Sequence, residues 1–423
     1  MAKIKQITAS EILDSRGNPT IETTVLLSDN ISVSASVPSG ASLGTYEALE
    51  LRDHDLSRFD GMGVKKAIEN IENIIAPKLI GMDATKQAQI DQTMITMDGT
   101  QNKGKLGANA ILSVSIAVCK AAAKSSLLPM FLYLRQFIKH ENLALKIPTS
   151  LFNILNGGKH AGGNIDFQEF IIIPATSKSY ADCLQIGTTV YKSLEKILLE
   201  KGLGVLVGDE GGFGPKLATN YDGFLLIKEA IEKTPYKLDF DVFFGLDAAA
   251  NSFFTNKKYH LRDKSIDYAT NDLISYYQEL NKQYHLLYLE DGLSEDDWDG
   301  WTSLTTKLSQ DTLIVGDDLT VTNPYRLQMA IDKKAITGII IKPNQIGTVI
   351  ETLAVVEVAR AANLKIIVSH RSGETNDDFI ADFAVAVSAD YVKFGAPARG
   401  ERVAKYDRLL QIEKQFQDLG SKL

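Results

Sequence analysis

Cysteine is nearly absent from this 423-residue chain: Cys119 and Cys183 stand far apart, with no metal or redox spacing between them. That scarcity rules out a disulfide scaffold and a thiolate metal site, and it points to a reducing cytoplasm. No apolar run reaches the length of a membrane span, and Met1-Ala-Lys-Ile-Lys-Gln6 lacks the apolar stretch of a signal peptide. Positive charge is in deficit, with 45 Lys and Arg against 53 Asp and Glu, for a net charge of −8. Such a balance argues against nucleic acid or an anionic membrane as partner, so an anionic substrate would have to be met by local cations. Low-complexity segments and flexible linkers are also missing. The terminal Ser421-Lys422-Leu423 has the letters of a peroxisomal address, but three residues are a weak signal and a solvated tail is the stronger reading.

What is present is a rhythm. Five short apolar runs end on charged or polar residues: His285-Leu-Leu-Tyr-Leu-Glu290-Asp291, Thr312-Leu-Ile-Val-Gly-Asp317-Asp318, Gly338-Ile-Ile-Ile-Lys342, Lys365-Ile-Ile-Val-Ser-His370-Arg371 and Tyr391-Val-Lys393. The steps from Glu290 through Asp317, Lys342 and His370 to Lys393 are 27, 25, 28 and 23 residues, each about a strand, a loop and a covering helix. Helix-period segments fill the gaps, as in residues 348–362 and 378–387. The pattern predicts an α/β protein with parallel strands, closed as a (β/α)8-type barrel whose strand ends converge on one pocket.

Residues 3–40 alternate like three antiparallel strands, and helix patterns follow at 64–75, 85–94 and 108–123. This reads as a smaller α+β capping domain over residues 1–139, with the barrel over 140–423. Residues 148–155 and 167–174 are the first two barrel strands, and the short gap between them predicts an antiparallel pair. Helices near 178–201 and 221–233 come next, then the strand Val242-Phe-Phe-Gly-Leu-Asp247 and the remaining strand–helix units.

Asp247, Glu290 and Asp317 each end a strand in consecutive units, and hard divalent cations take carboxylate oxygens. Helix capping is the plainer account for Asp291 and Asp318; for the trio, metal binding is the stronger reading. Lys342 either snorkels outward or points into the barrel mouth, where Lys393 and a metal would lower the pKa of one lysine into the range of a base. Ser369-His-Arg-Ser-Gly-Glu-Thr375 offers a guanidinium and hydroxyls at a strand end, suited to an anion, although a capping turn has the same letters. Gly-rich loops at 39–44, 156–164 and 207–213 suit covers that exclude water, the last carrying Asp209 and Glu210. Residues 99–106 nearly match a phosphate-binding P-loop but lack its Ser/Thr and preceding strand.

Taken together, these motifs resemble the enolase family over nearly the whole chain, from Asp14-Ser-Arg-Gly-Asn-Pro-Thr20 to Arg402-Val-Ala-Lys-Tyr406. Ser369 to Thr375, Gly208-Asp-Glu-Gly-Gly212 and Lys342-Pro-Asn-Gln-Ile-Gly347 carry the likeness, and the length is similar to that of bacterial members. The resemblance implies a cytoplasmic glycolytic lyase interconverting 2-phosphoglycerate and phosphoenolpyruvate, with a secondary presence at the cell surface left open. It also implies two Mg2+ per site and a homodimer, with higher assemblies occurring in the family.

By the same resemblance, Lys342 would remove the C2 proton and Glu210 would assist departure of the C3 hydroxyl, for which its pKa should be raised. Asp247, Glu290 and Asp317 would hold one magnesium, and Ser42 would help to hold the second. Arg371 and Ser372 would grip the phosphate, and Lys393 would meet the carboxylate. His160, Gln168 and Glu169 would complete the pocket. Leu43, Pro343 and Asn251-Ser252 depart from the family pattern, but none is assigned to chemistry. Two alternatives compete: a superfamily racemase or cycloisomerase, and a non-enzymatic binding role. The first usually carries Lys-x-Lys where this chain has Phe167-Gln-Glu-Phe170; the second predicts loss of the charged pocket, which is intact in the sequence.

Overall fold

The computed structural model describes residues 2–40, 46–139, 143–162 and 165–420. The β-branched alternation near the N-terminus forms β1 (Ile4–Leu13), β2 (Pro19–Leu27) and β3 (Ser32–Ser36), an antiparallel sheet in sequence order. Next come α1 (Lys65–Asn70), a π-turn (Ile71–Ile75), α2 (Ala76–Leu79), α3 (Gln87–Asp98), α4 (Ala108–Ser125) and α5 (Met130–Arg135). The sheet lays its apolar face, including Ile21 and Val25, against α4, which is buried along most of its length. The P-loop-like stretch is only the link between α3 and α4, where Lys103 Nζ meets Glu351 at 2.9 Å.

The second part is a closed eight-stranded barrel. It runs β4 (Thr149–Asn156), β5 (Glu169–Pro174), α6 (Tyr180–Glu200), α7 (Asn220–Glu232), β6 (Val242–Asp247), then a small hairpin of β7 (Phe254–Thr255) and β8 (Lys258–Tyr259). After it come α8 (Thr270–Tyr284), β9 (Leu286–Glu290), α9 (Trp298–Leu308), β10 (Leu313–Gly316), α10 (Pro324–Asp332) and β11 (Gly338–Ile341). The chain closes with α11 (Val349–Ala361), β12 (Lys365–Ser369), α12 (Phe379–Ala386), β13 (Tyr391–Lys393) and α13 (Gly400–Gly420). As the short 157–168 gap requires, β5 is antiparallel to β4, and it is antiparallel to β6 as well; the other neighbours pair parallel.

Strand alternation aims the functional side chains. Leu151, Ile171, Ile173, Tyr288, Val315, Ile340 and Ile367 fill the barrel interior, with Phe243 and Tyr391 packed against them. Each apolar plug of this kind contributes about 1.5–3 kcal/mol on burial. Side chains two residues apart share a face. The inward phase therefore runs from Ile340 to Lys342, from Val315 to Asp317, from Tyr288 to Glu290, from Tyr391 to Lys393 and, through Gly245, from Phe243 to Asp247. Because β5 is reversed, its first residue sits at the same rim, with Glu169 paired to Asp247 and Asp247 to Glu290. Among the described residues no helix is long and apolar enough to cross a membrane.

Candidate active site

These side chains surround a cavity of about 330 Å³ at the carboxyl ends of the strands. Its walls include His160, Gln168, Glu169, Glu210, Asp247, Asp317, Lys342, His370, Arg371, Ser372 and Lys393. Glu290 lies just beneath, fully buried. Lys342 therefore points inward and does not snorkel. Ser42 lies outside the described residues.

One rim is rich in carboxylates. Lys393 Nζ is held among Asp247 (3.0 Å), Glu290 (2.8 Å) and Glu169 (3.2 Å). Lys342 Nζ contacts Asp317 Oδ2, and Gln345 Nε2 donates to Asp317 Oδ1 at 3.3 Å. Ligand oxygens of Asp247, Glu290 and Asp291 lie within 4.8 Å of one another, as do those of Asp291, Asp317 and Asp318. Asp291 is thus the shared member of both groups, and the expected trio straddles them. Its carboxylate also accepts the backbone N–H groups of Asp317 (3.0 Å) and Asp318 (2.9 Å), a turn-fixing role close to the capping expected of it. Burial, then Asp247, pushes Glu290 up to about 8; burial and Asp317 push Asp318 up to about 7. Clustered oxygen donors that resist ionising together fit a hard divalent cation.

The expected loss of lysine basicity is reversed here. Burial favours neutral Lys342, but Asp317 outweighs it and holds the pKa above the ordinary lysine value. Lys393 is likewise held well above it; burial again opposes, and Asp247, Glu169 and Glu290 prevail.

The opposite rim is rich in donors. Asn153 Nδ2 donates to Glu210 Oε2 and Ser372 Oγ to Glu210 Oε1, both at 3.2 Å. His370 Nε2 is 3.4 Å from Glu210 Oε2, and His160 Nδ1 is 3.7 Å from Glu210 and 3.8 Å from Glu169. Burial alone would raise Glu210, but His160, His370 and Arg402 hold it well below the usual carboxylate range. That corrects the expectation of a raised Glu210. The proton of this carboxyl pair rests on Glu169, raised well above its ordinary value by burial and by Glu210.

Arg371, expected at a phosphate, has Glu47 at 2.8 Å and Asn344 Oδ1 at 3.3 Å. Glu47, Asn153, Gln345 and Arg402 were not singled out from sequence. For Glu47 the available signal is its place just beyond the Gly-rich 39–44 loop; Gln345 and Arg402 lie in stretches that carry the family resemblance.

Two family models divide the chain between them. Residues 4–134 match the enolase N-terminal domain, and residues 144–422 match the enolase C-terminal TIM barrel domain. A lyase family's barrel with charged strand ends gathered in one cavity agrees with those matches, and the chain belongs to the enolase family.

Proposed function

We propose that this protein interconverts 2-phosphoglycerate and phosphoenolpyruvate. The observation that carries the reading is the delivery of an amine and a carboxyl pair into one cavity from separate segments, Lys342 beyond β11 and Glu210 with Glu169 across the mouth. The C2 proton of a carboxylate substrate is weakly acidic, because its removal adds charge to an anion.

Lys342 is the base. Burial, Arg371 and Lys393 all push its proton off, and Asp317 and Glu290 are what hold it. Lys393 meets the substrate carboxylate, while Arg371 and Ser372 bind the phosphate. Hydroxide leaves poorly unless protonated, so the proton resting on Glu169 passes to Glu210 as the C3 oxygen gains charge, and Glu210 delivers it to the C3 hydroxyl. His160 and Gln168 line the same wall.

Asp247, Glu290 and Asp317 would hold a magnesium ion, which would offset charge developing on the substrate carboxylate. Ser42 is the proposed ligand of a second ion. Ultraviolet absorbance of the enol phosphate, followed with and without magnesium, tests the reading. Wild-type protein is expected to give magnesium-dependent product, and Lys342→Ala to form it about a thousandfold more slowly. A folded, magnesium-bound wild type that yields no product would contradict the proposal.

A further inference from the structure

Arg402 is fully buried at the start of α13 and touches the site through a single nitrogen pair. Its Nη1 lies 2.7 Å from His370 Nδ1. Its remaining Nη donors hold backbone carbonyls, Arg371 O at 2.7 Å, Ser372 O at 2.6 Å and Asp209 O at 3.1 Å, while Nε lies 3.5 Å from Glu401 Oε1. A guanidinium has no lone pair to offer, so His370 Nδ1 must be the acceptor and carries no proton. In the neutral imidazole the proton then sits on Nε2, the nitrogen 3.4 Å from Glu210 Oε2.

The ring has little room to turn. The backbone N–H of His370 donates to Lys393 O at 3.0 Å. Gly395, at φ +88°, packs so closely that an added Cβ would stand 3.0 Å from His370 Cε1 and 2.6 Å from Glu210 O. Burial pulls His370 down to about 3; Glu210 opposes this, and Arg402 and Lys393 add to it. The ring therefore stays neutral across the working range and acts as a donor with one usable N–H.

We propose that Arg402 is a positioning residue that fixes His370 in its Nε2–H tautomer, so that this N–H points at Glu210 and orients the acid's carboxyl. The idea rests on the reading of Glu210 as the acid. Arg402 touches His370 and the carbonyls it anchors, and its charge also helps to hold Glu210 down. The other groups facing Glu210 are the Ser372 hydroxyl, the Asn153 amide, His160 and Glu169; Lys393 faces His370 from β13.

The decisive experiment is a long-range 15N–1H correlation spectrum of 15N-histidine-labelled protein, with His370 assigned by comparison with His370→Asn. The expected result is an unprotonated Nδ1 and a protonated Nε2 at neutral pH. A wild type protonated on Nδ1 would overturn the proposal. This readout needs no turnover, so it stands or falls separately from the proposed reaction.

Kinetics of two variants supply a second arm. In Arg402→Leu, kcat should fall about a hundredfold with KM changed less than about threefold, and the alkaline limb of the kcat profile should move to higher pH as the acid loses a cation and a donor that favour its ionised form. Arg402→Lys restores a charge and one donor, and should recover about tenfold of kcat together with the Nε2–H signal. A role limited to anchoring carbonyls predicts equal losses in both variants with no change of tautomer, and that result would overturn the proposal. Should Arg402→Leu fail to fold, the wild-type tautomer still decides.

Discussion

Glu210 lines the cavity and Glu290 lies just beneath it, both buried, yet Glu290 is pushed up to about 8 while Glu210 is held well below the ordinary range. Burial pushes both the same way, so the neighbours decide the sign. Around Glu290 one bonded cation, Lys393, is shared among Asp247, Glu290 and Glu169, with Lys342 paired to Asp317 nearby. Around Glu210 the balance is inverted, with His160, His370, Arg402, Ser372 and Asn153 facing one carboxylate. One rim has more carboxylates than its two lysines can pair and is suited to a divalent cation; the other supplies donors and is suited to handling a proton. The substrate would lie between them.

The comparison breaks most visibly at Lys342. Removing its amine should lower kcat by about a thousandfold, measured by absorbance, with the barrel still folded by circular dichroism. On the acidic rim, Glu290→Gln should weaken magnesium binding by at least the roughly 10–100-fold that losing even a supporting group costs, read by calorimetry. On the donor rim, Gly395→Ala forces a Cβ toward Glu210 O and His370 at a positive φ. It should cost about 1–3 kcal/mol in urea unfolding and lower kcat, while leaving magnesium affinity unchanged.

The smallest expected effect is the pH dependence of the chelated protein. Glu290 and Asp318 titrate near 8 and 7 when folded, above their ordinary 4.5 and 3.8, so the folded state holds their protons and loses that stability as pH rises toward 8. His370, drawn from 6.5 down to about 3, works in the opposite sense, gaining stability as pH rises to 6.5 and adding nothing further above it. Between those limits the acidic rim shares the decline with Asp91, which burial also raises to about 7. Tm in a chelator should fall there by about 2 °C or more, and magnesium should remove the acidic rim's share of the decline.

Much of this was legible in the sequence because period-two strands carry their inward phase straight into the residue beyond the strand. Ile340 and Lys342, or Val315 and Asp317, are read together for that reason. The reversal of β5 was legible too, since the 157–168 gap is too short for a crossover. What escaped were short or distant things. α5 has six residues and β7 and β8 two each, too few for a period to emerge. Glu47 meets Arg371 across 324 positions of sequence, and Arg402 meets His370 across 32. The directions of the lysine and Glu210 shifts escaped for a related reason. They depend on how many carboxylates share one amine, which a list of strand-end charges does not reveal.

The division of labour between the rims is tested most directly by following solvent deuterium into C2 of 2-phosphoglycerate while product is monitored. The account predicts that Glu210→Gln still exchanges the C2 proton but forms almost no enol phosphate, whereas Lys342→Ala does neither. Exchange that persists in Lys342→Ala would contradict it.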